Sequence, residues 1–349
     1  MLPRMPRRDA LFALVVLGCA RTPPAALAPA TDTTPVAKAT VVLPSASAAP
    51  IRDAGADAPR VDAAATREFE THRKDCAKPD SNACNDLGID YQLGRGVTQN
   101  WVKAARFYQQ ACDTGTASGC SNLGVLYEEG HGVPKNATLA VSFYRQGCDG
   151  GSNLGCTSLG SSYRDGTGGL ARDDAMAVSL YQPVCDKGYA SACGNLGYMY
   201  SKGLGVTKDG AKAVTLYRKA CSGDDGSGCN NLGVRYENGD AVTKDTSQAA
   251  LLYRKACDLN ASDGCVNLGS LYEHGDGAPK DLGLALQLYD KGCTGGTFSG
   301  CFHQASLFET GAGVPVDLGR AKALYKQACD GSYADACSAL GRLSATTVP

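Results

Sequence analysis

The chain has 349 residues, with 34 basic and 35 acidic side chains and a formal net charge of −1. No block of like charge stands out, so a partner held by a basic face, nucleic acid above all, is excluded. Its 43 glycines and 17 cysteines are far from random in placement.

In chain order, Arg4, Arg7 and Arg8 precede a short apolar run from Ala10 to Gly18. A basic segment, a run too short to span a bilayer and small residues at its end read as a secretory signal over residues 1–19. The run closes Val16-Leu17-Gly18-Cys19, which resembles a bacterial lipoprotein signal. That resemblance implies lipidation of Cys19 and, with Ala20 rather than an aspartate next, retention at the outer membrane facing the periplasm; the alternative is a plain signal peptide with an incidental cysteine and a secreted protein. Cys19 is also the one cysteine outside the pattern below, and a free thiol is a liability in an oxidising compartment. Residues 20–60 are mostly Ala, Pro, Thr, Val and Ser without helical or strand period. Such a stretch cannot bury enough surface to offset its ordering entropy, and its prolines favour extended segments. It is expected to be a disordered tether.

The remainder, 61–345, repeats. Sixteen cysteines fall in eight pairs, the members of each standing eight positions apart. The pairs are Cys76 with Cys84, Cys112 with Cys120, Cys148 with Cys156, Cys185 with Cys193, Cys221 with Cys229, Cys257 with Cys265, Cys293 with Cys301, and Cys329 with Cys337. From pair to pair the step is 36, once 37, and a fixed period of that length marks a solenoid. In one unit, Leu123, Leu126 and Tyr127 lie on one helical face, Gly130 and Gly132 end that helix, and a second runs near Asn136 to Asp149 with Ala140, Tyr144 and Cys148 on one face. The unit is therefore an αα-hairpin. Glycine recurs inside each first helix (Gly88, Gly124, Gly160, Gly197, Gly233, Gly269; Ala305 in the seventh), although it costs about 1 kcal/mol relative to alanine there. Close approach of the partner helix is the expected reason. A tyrosine stands four residues before each first cysteine from Tyr108 to Tyr325, and its ring is expected to pack on the next hairpin. The first cysteine of a pair ends one hairpin and the second begins the next, so a disulfide within each pair is predicted. Spacing by itself leaves other connectivities open. An even cysteine count in a repeating frame points to an oxidising compartment.

The pattern Ala-x3-Tyr-x3-Cys, then Cys-x2-Leu-Gly-x2-Tyr, then Gly-x-Gly-Val, resembles Sel1-like repeats, relatives of the tetratricopeptide repeat, in their cysteine-rich secreted branch. The resemblance covers residues 64–344. It implies an all-α, right-handed α-solenoid of about seven hairpins with half-repeat caps, first helices lining a concave face, and a scaffold that holds a protein or peptide. Some cysteine-rich relatives are described as penicillin-binding or weakly β-lactamase-like, so the alternative implied is a hydrolase of β-lactams or cell-wall peptides. The caps are atypical: Glu68 and His72 replace the alanine and tyrosine of the first, and Ser344 replaces the aromatic of the last. The third unit carries an extra residue near Thr167-Gly168-Gly169-Leu170, and the seventh has Gln304 for leucine.

Two positions after each second cysteine stand Asp86, Asn122, Ser158, Asn195, Asn231, Asn267 and His303, and Ala339 in the last helix. If the first helices line a groove, this is a polar ladder able to hydrogen-bond an extended peptide. The same residues at helix starts also favour bonds to their own backbone, and both readings stay open. No catalytic residue is assigned. S-x-x-K, S-D-N, K-T-G, G-x-S-x-G, H-E-x-x-H and a P-loop are all missing from the sequence. His72, His131, His274 and His303 fall at unrelated register positions. A seven-residue gap between paired cysteines is wider than zinc sites use. No metal or other cofactor is expected, and contact with a membrane is expected only through the N-terminal lipid.

Overall fold

The computed structural model describes residues 63–78 and 82–345. The proposed signal, tether and Cys19 lie outside the described residues. Seven helical hairpins form the stack. Their first helices are α2 (Ala83–Leu93), α4 (Ala117–Glu129), α6 (Asn153–Asp165), α8 (Ala190–Lys202), α10 (Gly226–Asn238), α12 (Ser262–His274) and α14 (Phe298–Thr310). The second helices are α3 (Trp101–Asp113), α5 (Ala137–Asp149), α7 (Asp174–Asp186), α9 (Gly210–Ser222), α11 (Thr246–Asp258), α13 (Leu282–Thr294) and α15 (Leu318–Asp330). A lone second helix, α1 (Ala63–Cys76), precedes them, and a lone first helix, α16 (Ala334–Ala345), follows. Each helix packs on its sequence neighbours, and successive first helices also touch, as α4 does α6 and α8 does α10. Among the described residues there is no strand, and no helix is long and apolar enough to cross a membrane. The architecture is an all-α solenoid.

Local chemistry sets the helix ends. Every second helix of the seven hairpins begins after an Asn or Asp whose side chain accepts from the backbone N–H three residues on, as Asn136 does from Leu139 at 3.0 Å and Asp245 from Gln248 at 2.9 Å. That satisfies one of the donors a helix start leaves unpaired. Every first helix of the hairpins ends on a left-handed glycine, for example Gly130 at φ 82° and Gly239 at φ 75°. The loop then closes in one way throughout: the N–H of Asn136 donates to the Tyr127 carbonyl, and that of Asp173 to Tyr163. The latter loop has the extra residue, absorbed by a further pair of left-handed glycines, Gly168 and Gly169.

The interior glycines have a definite contact. A Cβ on Gly88 would meet the Tyr108 ring at 2.5 Å, and one on Gly233 the Tyr253 ring at 2.6 Å. Tyr108, Tyr144, Tyr181, Tyr217, Tyr253, Tyr289 and Tyr325 are all essentially buried. Each ring therefore seats on the glycine of its own hairpin, and contact with the next hairpin, expected from the sequence, is seen as well where Tyr289 stacks on His303. The seat exists because the glycine leaves a dent on the first helix at the height of the tyrosine one crossing away.

The disulfides are local, as the cysteine frame predicts. Cys76 is bonded to Cys84, Cys112 to Cys120, Cys148 to Cys156 and Cys185 to Cys193. In the second half of the stack Cys221 is bonded to Cys229, Cys257 to Cys265, Cys293 to Cys301 and Cys329 to Cys337. The paired Cα atoms lie 4.4–4.6 Å apart, and each bridge links the second helix of one unit to the first helix of the next. Beside the bridges, Lys255 and Lys291 reach back to the carbonyls of Cys221 and Cys257 at 2.8 and 3.0 Å, and Gln110 to that of Cys76 at 3.3 Å. A lysine there satisfies an orphan carbonyl at a helix C-terminus and complements its dipole.

Candidate functional site on the first helices

The ladder residues Asp86, Asn122, Ser158, Asn195, Asn231, Asn267 and His303 occur one per first helix, all half-buried on the first-helix side. Ala339, their counterpart in α16, is buried. The asparagines do not cap their own helices. Asn122 Nδ2 donates to Asn85 Oδ1 at 2.9 Å, and Asn267 Nδ2 to Asn230 Oδ1 at 2.8 Å. These bonds run from one first helix to the one before, 37 residues back, and tie neighbouring units. His303 behaves differently: it stacks on Tyr289 with ring centroids 5.0 Å apart, and burial pushes its pKa down.

The middle of the stack breaks this scheme at three register positions. One after the second cysteine, where Asn85 and Asn230 accept, stands Gly194; a Cβ there would meet nothing closer than the Asp225 carboxylate at 3.4 Å. Asn231, which would donate to that position, has no side-chain hydrogen bond to the described residues. Eight after the second cysteine, most units place an acceptor for the buried tyrosine hydroxyl. Tyr108 donates to Gln92 at 2.5 Å, Tyr253 to Glu237 at 2.5 Å, Tyr289 to Glu273 at 2.6 Å and Tyr325 to Glu309 at 2.7 Å; Tyr144 donates to Glu128. In the third and fourth units this residue is Arg164 and Ser201, and Tyr181 shares a 3.0 Å bond with Ser161 instead. Five after the second cysteine, a small or aliphatic residue gives way to Tyr198, whose ring is 37% exposed.

These departures open a cavity of about 520 Å³ over α8, between the end of α6 and the start of α10. Arg164 and Asp165 form one wall, Gly194, Asn195 and Tyr198 the floor, and Asp225 and Asn231 the other wall, with Ser191 and Ser227 at the rim. Arg164 grips Asp165 through Nε and Nη2, each 2.8 Å from a carboxylate oxygen, and its Nη1 lies 3.4 Å from Asn195 Oδ1. The fork holds the Asp165 pKa below the usual carboxylate range and the Arg164 pKa above its own. Asp225 caps α10 by accepting from the Gly228 N–H at 2.5 Å. Left over for a ligand are the Asn195 Nδ2 donors, the whole Asn231 amide, the Ser191 and Ser227 hydroxyls and the Tyr198 ring.

The structure thus brings two ladder residues, Asn195 and Asn231, to one cavity, and leaves Asn122 and Asn267 engaged in ties between units. Sequence reasoning did not single out Arg164, Asp165, Tyr198 or Asp225. The signal was present as a change of residue type at a fixed register. The four histidines are dispersed: His72 bonds Asp90 at 2.6 Å, His131 stacks on Trp101, and His274 meets the Ser270 carbonyl.

The sequence profile of the Sel1 repeat matches residues 81–115, 117–152, 154–189, 190–225, 226–260, 262–297 and 300–333, most of the chain. The chain belongs to the Sel1-repeat family. Resemblance to two solved structures of this fold agrees. A protective antigen of uropathogenic Escherichia coli displaying an SLR fold is 32% identical over 76% of this chain, with a TM-score of 0.51; the match spans 57% of that antigen's length. A Sel1 repeat protein from Oxalobacter formigenes is 23% identical over 70% of this chain and 96% of its own, with a TM-score of 0.58, and shares the fold. Cysteine-rich protein B of Helicobacter pylori is 33% identical over 37% of this chain and 93% of its own, with a TM-score of 0.31. Comparison with curated proteins finds no match. Sel1-repeat proteins are interaction scaffolds as a class, and eight disulfides are the mark of a chain that folds in an oxidising compartment.

Proposed function

We propose that this Sel1-repeat chain is an extracytoplasmic scaffold that binds an extended peptide segment of a partner protein across α6, α8 and α10. The observation that supports it most is that the Asn231 amide and the Asn195 Nδ2 make no side-chain hydrogen bond to the described residues, at a cavity where the equivalent asparagines of other units are already bonded. A carboxamide offers a donor and an acceptor side by side, the complement of a peptide group. Residues 1–19 act as the export signal, lipidation of Cys19 anchors the chain to the outer membrane, and residues 20–60 hold the solenoid off the lipid surface. The likeness to a protein described as a protective antigen favours a location outside the cytoplasm.

The test uses the oxidised protein and a pool of capped random peptides. Retention that is lost in the double variant Asn195→Ala with Asn231→Ala, and kept in Asn122→Ala, supports the site. Equal retention by all three proteins removes it from α8. A diacyl mass increment on the N-terminal peptide, absent in Cys19→Ser, tests the anchor.

A further inference from the structure

We infer that the cavity over α8 is a subsite for a basic side chain, lysine or arginine, of the bound peptide; the inference rests on the peptide-binding reading above. The charges at the cavity are one guanidinium, Arg164, and two carboxylates, Asp165 and Asp225. Arg164 and Asp165 hold each other through two 2.8 Å bonds and cancel at short range. Asp225 has no such partner. One of its oxygens caps α10, and the other bonds no side chain among the described residues. A formal charge of −1 therefore remains in a concave setting, where field lines concentrate.

Shape agrees with charge. Gly194 and Tyr198 are one helical turn apart on the same face of α8. The missing side chain at 194 leaves a slot with the Tyr198 ring beside it and the Asp225 carboxylate 3.4–3.6 Å from where a Cβ would stand. An aliphatic stem fits the slot, its cationic head meets the carboxylate, and the exposed tyrosine ring adds a cation–π contact. An acidic side chain is disfavoured although Arg164 is present. Asp165 already occupies the guanidinium fork, and a second carboxylate would face both Asp165 and Asp225. Elsewhere in the stack Asn85, Ser121, Thr157, Asn230, Val266 and Phe302 fill the position of Gly194, so the slot belongs to this unit alone among these hairpins.

Three capped Gly/Ser peptides of about nine residues, roughly 30 Å when extended, differ only in a central Lys, Gln or Glu. Binding of each to the oxidised protein is read by fluorescence anisotropy. The Lys peptide is expected to bind about tenfold tighter than the Gln peptide, and the Glu peptide weakest, as one charge-assisted contact provides. Asp225→Asn keeps a competent N-cap and removes the charge; it should bring the Lys/Gln ratio to about one, and a ratio that stays near ten overturns the role of Asp225. Asn231→Ala should weaken all three alike. Equal binding of the three peptides to the native protein, or a preference for Glu, overturns the basic subsite and leaves the groove standing. If none of the three binds, the groove reading falls as well.

Discussion

The outer and central hairpins share one backbone plan and differ in how they use their polar side chains. In the outer units, glutamates or Gln92 accept from the buried tyrosines, asparagine pairs tie successive first helices, and lysines satisfy cysteine carbonyls. In the central units, Arg164 and Ser201 replace the tyrosine acceptor and Gly194 removes an asparagine partner; in the third unit alone of these, Pro183 stands where Lys219, Lys255 and Lys291 of the next three units reach back. On the proposed reading, the difference teaches that a repeat becomes a binding site by omission. Internal bonds dropped in the middle leave donors and acceptors for a ligand, and the neighbouring units carry the stability.

The largest effect expected is on the stack as a whole. Each disulfide closes a small loop worth about 2–3 kcal/mol on the chain-entropy model. Reduction should therefore lower the melting temperature steeply, and similar melts of reduced and oxidised protein would show the bridges to be idle. The outer and central glycines should then separate. Gly233→Ala drives a Cβ to 2.6 Å from the Tyr253 ring and should destabilise by about 1–3 kcal/mol. Gly194→Ala meets nothing within 3.4 Å and should gain about 0.5–1 kcal/mol from helix propensity, while partly filling the proposed slot. Denaturant titration of the pair checks both signs.

Next come the buried tyrosines. Burial and the facing Glu237 and Glu273 raise the pKa values of Tyr253 and Tyr289. A folded-state pKa above the unfolded value gives stability that is complete below about pH 10 and is lost as pH rises past it. Alkaline unfolding should follow that window, and Tyr253→Phe should cost about 1 kcal/mol at pH 7 by freeing the Glu237 contact. Gln304, buried in the seventh unit, has Nε2 on Asp290 at 2.9 Å but an Oε1 without a partner. Gln304→Leu restores the residue of the other units and should stabilise by about 1 kcal/mol, as thermal melts can show. The smallest effect concerns Ala241, a non-glycine at φ 61° where neighbouring loops have glycine. Its Cβ lies 3.0 Å from where a Cβ on Gly210 would stand, so the alanine is tolerated because its neighbour is a glycine. Ala241→Gly should shift stability by less than about 1 kcal/mol.

Most of the fold was legible in the sequence because it repeats. A residue that recurs at one register position reports a constraint, whether stop, dent or bridge, and the helix-ending glycines, the interior glycines and the cysteine pairs were each of this kind, whereas the equally regular Asn/Asp N-caps emerged only with the structure. The candidate site was half legible. The ladder identified Asn195 and Asn231, but equal weight fell on Asn122 and Asn267, whose amides are consumed by Asn85 and Asn230. Nothing local distinguishes these pairs, since each bond crosses 37 residues. Arg164, Tyr198 and Gly194 were visible only as deviations, and a deviation alone does not say what it faces.

By itself the sequence determined the period, the hairpin unit, the cysteine frame and the half-repeat ends, since these rest on local backbone chemistry and on spacing along one chain. Tertiary structure alone decided which tyrosine fills which glycine, which asparagines are satisfied, and that Arg164, Asn195, Tyr198, Asp225 and Asn231 share one cavity. Those relations depend on the stagger between successive hairpins, which is fixed by how three helices pack together and not by any residue pattern within one.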